Sequence, residues 1–63
     1  MVINGKKYEY DEQKLSELLD YMKINSKNVV VEVNGEIIEK KNFDNLVLNY
    51  QDKLEIVTFV GGG

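Results

Sequence analysis

The sequence predicts an α+β fold in which one mixed sheet of about five strands wraps around one main helix. Three observations predict it. Two Asn-Gly pairs, Asn4-Gly5 and Asn34-Gly35, each stand between β-prone runs, and Asn-Gly is the strongest short hairpin signal because a type I′ turn needs positive φ at both central residues. Between the two hairpins, Leu15, Leu18, Leu19 and Met22 recur at i, i+3, i+4 and i+7, which is one apolar face of a helix. The chain then closes with Leu54-Glu55-Ile56-Val57-Thr58-Phe59-Val60, a run of high β propensity that is apolar on both faces, as a strand is that sits centrally in a sheet or has one face waiting for a partner.

Each element follows in order. The first hairpin pairs Met1 to Ile3 with Lys6 to Tyr10. A two-residue turn sets Ile3 against Lys6 and Met1 against Tyr8, so Met1, Ile3, Tyr8 and Tyr10 share the core face and Val2, Lys7 and Glu9 the other. Asp11 is a good N-cap and Glu12 suits the first turn, where the helix dipole favours an anion. A helix is therefore expected over residues 12–23, with the stop and loop at Asn25 to Asn28, where Asn can take the left-handed cap. The second hairpin joins Val29 to Val33 with Glu36 to Glu39; Val31, Val33 and Ile38 share one face, and Val30, Glu32 and Ile37 the other. Lys40 to Gln51 shows no clean period and reads as a loop or short helical turn pinned by Phe43, Leu46 and Leu48. In the last strand Leu54 and Ile56 face one way, and Glu55, Val57 and Phe59 the other.

Two hairpins cannot bury their apolar faces alone. Inserting the last strand parallel beside the first, with the helix across one face, solves the problem. This is the β-grasp arrangement, a domain over residues 1–60 with a flexible glycine tail over 61–63.

Composition narrows the function. The 63 residues make one domain, and a chain this short buries only about 60% of its unfolded surface, leaving little room for a deep ligand pocket. The absence of cysteine removes disulfides and thiolate metal sites, and the absence of histidine removes the commonest general base and metal ligand. A net charge of −3 argues against a nucleic-acid footprint. No segment is long and apolar enough to span a membrane, and Met1-Val2-Ile3-Asn4-Gly5 lacks the marks of a secretory signal, so a cytoplasmic protein that is monomeric when free is expected. Ser16 and Ser26 read as surface residues, the carboxylates as solvated faces, and the four tyrosines as core or half-buried sheet residues. Nothing here is self-sufficient catalytic machinery; no metal site and no bound cofactor are expected.

What remains is Gly61-Gly62-Gly63. One reading makes the glycines an inert terminus. The other gives them chemistry. A terminal α-carboxylate on glycines can thread a narrow channel that side chains would block. A larger enzyme could activate it as an acyl-adenylate while gripping the folded body, whose remote contacts would supply binding energy.

The stretches Val31-Glu32-Val33-Asn34-Gly35-Glu36-Ile37-Ile38, Asp52-Lys53-Leu54-Glu55-Ile56-Val57 and Phe59-Val60-Gly61-Gly62-Gly63, with the Leu18-Leu19 pair, carry a resemblance that covers the whole chain. It resembles the ThiS-type sulfur carrier proteins of thiamine biosynthesis, which are ubiquitin-like β-grasp proteins. The resemblance implies that the Gly63 carboxylate is adenylated by an E1-like, ThiF-type adenylyltransferase using ATP and magnesium. Sulfur from a cysteine desulfurase relay then replaces AMP, and the Gly63 thiocarboxylate serves a ThiG-type thiazole synthase. Gly61 and Gly62 would be the threading arm. Where the family commonly has Gly just before the Asp that opens the last strand, this chain has Gln51, which either takes the left-handed conformation at a cost of ~1 kcal/mol or more or stands in a different turn. The protein would be a co-substrate and not itself an enzyme. Strand alternation places Val57, Phe59, Val30 and Val2 on an outer sheet face, fringed by Glu55, Glu32, Lys7 and Glu9, and the expected docking residues are Val57, Phe59, Glu55, Val30 and Val2. Ubiquitin-like proteins present the corresponding face to activating enzymes; the competing arrangement covers Val57 and Phe59 with the 40–51 loop. Two other functions share the fold and tail: a sulfur carrier like the small subunit of molybdopterin synthase, and a ubiquitin-like protein modifier.

Overall fold

Asn4 and Gly5 adopt φ of 51° and 81°, and Asn34 and Gly35 φ of 53° and 85°, so both Asn-Gly pairs make the left-handed turns that close two-residue hairpins. The structure, a computed structural model, describes residues 1–59. The first turn joins β1 (Val2–Ile3) to β2 (Lys6–Lys7), with Ile3 opposite Lys6 and Val2 opposite Lys7. Pairing continues to Met1 and Tyr8, where the Tyr8 N–H donates to the Met1 carbonyl at 2.8 Å and the Met1 amino group donates to the Tyr8 carbonyl at 3.1 Å. Tyr8 and Tyr10 then leave the ladder. They stack at 5.1 Å between ring centroids, Tyr21 meets Tyr10 edge-on at 5.6 Å, and Tyr8 and Tyr10 pack against the core while half-buried. Tyr21 and Tyr50 are exposed, unlike the core or half-buried positions expected of all four tyrosines.

The helix is shorter than its periodicity. Gln13 and Lys14, expected inside it, form a strand, β3, which pairs antiparallel with β6 (Val47–Leu48); α1 then runs over Leu15–Tyr21. The first helical N–H groups explain the boundary, because helix starts leave donors without intrahelical partners. Leu15 N–H donates to the Leu46 carbonyl and Ser16 N–H to that of Phe43, both at 2.9 Å. The Lys14 N–H is taken by Glu17 Oε1, also at 2.9 Å. With the donors satisfied by the segment packed against them, Asp11 has no capping role. At the other end, Lys23 N–H bonds the Asp20 carbonyl and Ile24 N–H bonds that of Leu19, a Schellman closure. The left-handed residue there is Lys23, φ 59°, and not an Asn of the following loop. Asn25 instead caps a 3₁₀ turn over Ser26–Asn28 by accepting from the Lys27 N–H.

The second turn joins β4 (Val29–Val33) to β5 (Glu36–Ile38). Val31 faces Ile38 and Glu32 faces Ile37, as alternation predicts. The next segment makes a 3₁₀ turn at Lys40–Asn42, then buries Phe43 and Leu48. Gln51 is not among the residues with positive φ. The turn is built instead on Asn49, whose Oδ1 accepts from the Gln51 N–H and whose N–H donates to Asp52 Oδ2, both at 2.9 Å.

The last strand, β7 (Lys53–Thr58), completes a five-stranded sheet in the order β2-β1-β7-β4-β5. It runs parallel to β1 and antiparallel to β4, the β-grasp arrangement. One sheet face, through Ile3, Val29, Val31, Val33, Leu54 and Ile56, packs on Leu15, Leu18 and Leu19 of α1, with Met1, Phe43 and Leu48 closing the core. Val29 and Ile24, absent from the periodic reading, join the buried and partly buried sets.

Candidate functional site

Strand β7 is held on both flanks by the two turn asparagines as well as by its neighbours. Beyond the end of β1, the Asn4 side chain continues the ladder: its Nδ2 donates to the Ile56 carbonyl at 3.0 Å and its Oδ1 accepts from the Ile56 N–H at 2.7 Å. On the other flank, Asn34 Oδ1 accepts from the Lys53 N–H and its Nδ2 donates to Asp52 Oδ1, both at 3.0 Å. The Phe59 N–H still bonds the Asn28 carbonyl at 2.9 Å, so the backbone is fixed up to the last described residue. Gly61, Gly62 and Gly63, read as the threading arm and reactive terminus, lie outside the described residues, as does Val60.

Alternation along this fixed strand builds the face opposite the helix. Val57 is 57% exposed and Phe59 50%, so the 40–51 segment does not cover them; its anchors Phe43 and Leu48 turn into the core. Val30 faces Val57 across β4, and Val2 faces Lys53 across β1; both valines are half-buried. The expected docking residues Val57, Phe59, Glu55, Val30 and Val2 therefore share one surface.

The register changes three details of that surface. Ile37, placed on this face by alternation but left out of the docking set, is 67% exposed on the outermost strand opposite Glu32. Glu9 lies in the coil after β2 and not on the sheet. Glu32 and Glu55 are not a fringe: they stand opposite each other on the two inner strands β4 and β7. Pairing between strands distant in sequence carries no local signal, so this juxtaposition could not be read from either strand alone.

The rest of the described surface offers less chemistry. Among the described residues no three Asp or Glu side chains converge to hold a metal, and no helix is long and apolar enough to cross a membrane. Clefts are larger than the composition suggested, ≈ 490 Å³ beside Ser16, Lys27 and Phe43 and ≈ 530 Å³ beside Met1, Tyr8 and Tyr50. Both are open depressions and not enclosed cavities.

Comparison with known proteins agrees with this geometry. The family model described as "ThiS family" matches residues 1–63. The chain is 41% identical over 63 residues to the sulfur carrier protein ThiS of Bacillus subtilis, with 97% of this chain and 96% of that protein covered. It is also 41% identical over 64 residues to a thiazole synthase of Paramagnetospirillum magneticum, where it matches 100% of its own length but only 20% of that protein. Among solved structures, the thiamine biosynthesis protein ThiS of Geobacter metallireducens superposes with a TM-score of 0.79 at 33% identity, covering 98% of this chain and 96% of that one. The exposed sheet face thus stands on the ubiquitin-like β-grasp scaffold of a sulfur carrier of thiamine biosynthesis, and the chain belongs to the ThiS family.

Proposed function

We propose that this chain carries sulfur for thiazole formation on its C-terminal Gly63, as a protein co-substrate and not as an enzyme. The observation that carries the reading is the handover at the end of β7. A central strand bonded on both flanks delivers the chain at Phe59, beside an exposed apolar face, to a terminus of three glycines. A body whose backbone is held as far as Phe59 is a good handle, and remote contacts on the handle serve the reacting end.

The chemistry runs in steps that balance. A Gly63 carboxylate oxygen attacks the α-phosphorus of ATP on a ThiF-type adenylyltransferase, whose magnesium ion neutralises the phosphates, and pyrophosphate leaves. The acyl-adenylate carbon is then open to the terminal sulfur of a persulfide supplied through a cysteine desulfurase relay, and AMP leaves. A thiol next cleaves the resulting S–S bond, forming a disulfide and freeing the Gly63 thiocarboxylate for a ThiG-type thiazole synthase. Gly61 and Gly62 thread the partner's channel because nothing projects from their Cα atoms. The chain itself binds no metal or cofactor. The similarity to one fifth of a thiazole synthase supports that enzyme as the consumer of the sulfur; the exposure of Val57 and Phe59 supports their face, with Glu55, Val30 and Val2, as the docking surface.

Deleting Gly63 is expected to abolish ATP–pyrophosphate exchange by a ThiF-type adenylyltransferase while the far-UV spectrum and thermal midpoint stay unchanged. Undiminished exchange with the shortened chain would overturn the proposal.

A further inference from the structure

The centre of the exposed sheet face holds an electrostatic conflict. Glu32 and Glu55 are register partners on adjacent antiparallel strands, and Cβ atoms so placed lie about 4.5–5.5 Å apart, where like charges repel. Their neighbours on two sides are apolar. Ile37 stands opposite Glu32 on its other side, and the next pair along the strands is Val30 with Val57. The nearest cation in register is Lys53, two residues along β7 on the same face, yet it forms no ion pair with either carboxylate. The one ion pair among the described residues joins Lys41 and Glu39. Two carboxylates in no ion pair with any described residue thus sit beside Val30, Ile37 and Val57, in a shallow depression also lined by Asn34 and Lys53.

A docked partner would remove the conflict if it placed one cation between the two groups. Guanidinium suits the position better than ammonium. Its planar fork of five donors can reach two carboxylates at once, and it sheds water more readily when set among apolar side chains. We infer that the surface bearing Glu32 and Glu55 docks a protein that presents an arginine to the pair, ringed by apolar side chains that cover Val30, Ile37, Val57 and Phe59. The inference rests on the reading that this face meets the adenylyltransferase, and it names what that enzyme's surface must carry. The pair then acts as a register key: Coulomb repulsion lowers the stability of the free protein, and the same charges fix the orientation of the complex.

The test separates these roles by sign. Full-length Glu32→Gln and Glu55→Gln are compared with the unaltered chain for thermal midpoint at low salt and for KM in ATP–pyrophosphate exchange with a ThiF-type adenylyltransferase. Each variant is expected to melt a few degrees higher, because the repulsion is gone. Each is expected to show a KM raised about tenfold or more, because a charged hydrogen bond to arginine is gone. A lowered melting point in both variants, or an unchanged or lowered KM, overturns the inference. Phe59→Asp, on the same face but away from the pair, isolates the reading beneath it. If Phe59→Asp raises KM while the glutamine variants do not, only the arginine key fails; if all three leave KM unchanged, the docking face fails with it.

Discussion

Asn4 and Asn34 each answer two demands at once. Their backbones take the left-handed conformation that non-glycine residues other than Asn and Asp rarely enter, and their side chains bond the last strand. Glycine would satisfy the first demand better and the second not at all. Asn4→Gly is therefore expected to destabilise the protein by about 1–2 kcal/mol, since both partly buried bonds to Ile56 are lost and its N–H and carbonyl are left short of partners. Asn34→Gly should cost less, under about 1 kcal/mol, because its bonds to Lys53 and Asp52 are exposed and water can replace them. Urea midpoints of the two variants check the order; equal losses would mean that the side-chain bonds do not set the difference. The turns were legible in the sequence because Asn-Gly is a local signal. The bonds were not, because Asn4 and Ile56 are 52 residues apart.

Among the elements, α1 shows how tertiary pairing overrides a periodic pattern. Leu15, Leu18 and Leu19 are buried as their spacing predicts. The turn that should precede them, at Gln13 and Lys14, is drawn into β3 because the Val47–Leu48 strand offers it backbone partners. Those partners lie more than thirty residues on, in the segment with the least periodicity, so neither half of the pair could be read. The C-terminal end was legible only in position. Lys23 takes the left-handed cap at φ 59°, where a Cβ is strained by about 1–2 kcal/mol. Lys23→Gly relieves that strain against a greater loss of unfolded-chain entropy. A net stabilisation of up to about 1 kcal/mol is expected, seen as a higher urea midpoint with an unchanged slope. A lower midpoint would show that the lysine side chain contributes more than its backbone conformation costs.

At the scale of the whole molecule, one thin core holds the sheet together and leaves its far face free. A 63-residue chain has a total stability of roughly 3–9 kcal/mol, and truncating a fully buried leucine costs about 2–5 kcal/mol. Leu54→Ala, near the start of β7 and wholly buried, is therefore expected to lose most of that stability, while Val57→Thr, on the other face of the strand and exposed, should change it by less than about 0.5 kcal/mol. Thermal denaturation of the pair checks the assignment of faces, and a comparable loss in both would contradict it. Two-residue periodicity made these faces legible in β4 and β7. It also revealed the apolar residues of the outer surface, but not that the register would set Glu32 against Glu55 at its centre. In the proposed function the reacting atom lies beyond the strand, at the terminal carbonyl carbon of Gly63. The most direct test is the intact mass of the full-length chain after incubation with a ThiF-type adenylyltransferase, ATP, magnesium, a persulfide sulfur source and a thiol to cleave the acyl disulfide, with tandem fragmentation to locate any change. The account predicts a gain equal to the difference between one sulfur and one oxygen atom, carried on Gly63. An unaltered mass, or sulfur found on any side chain, would contradict it.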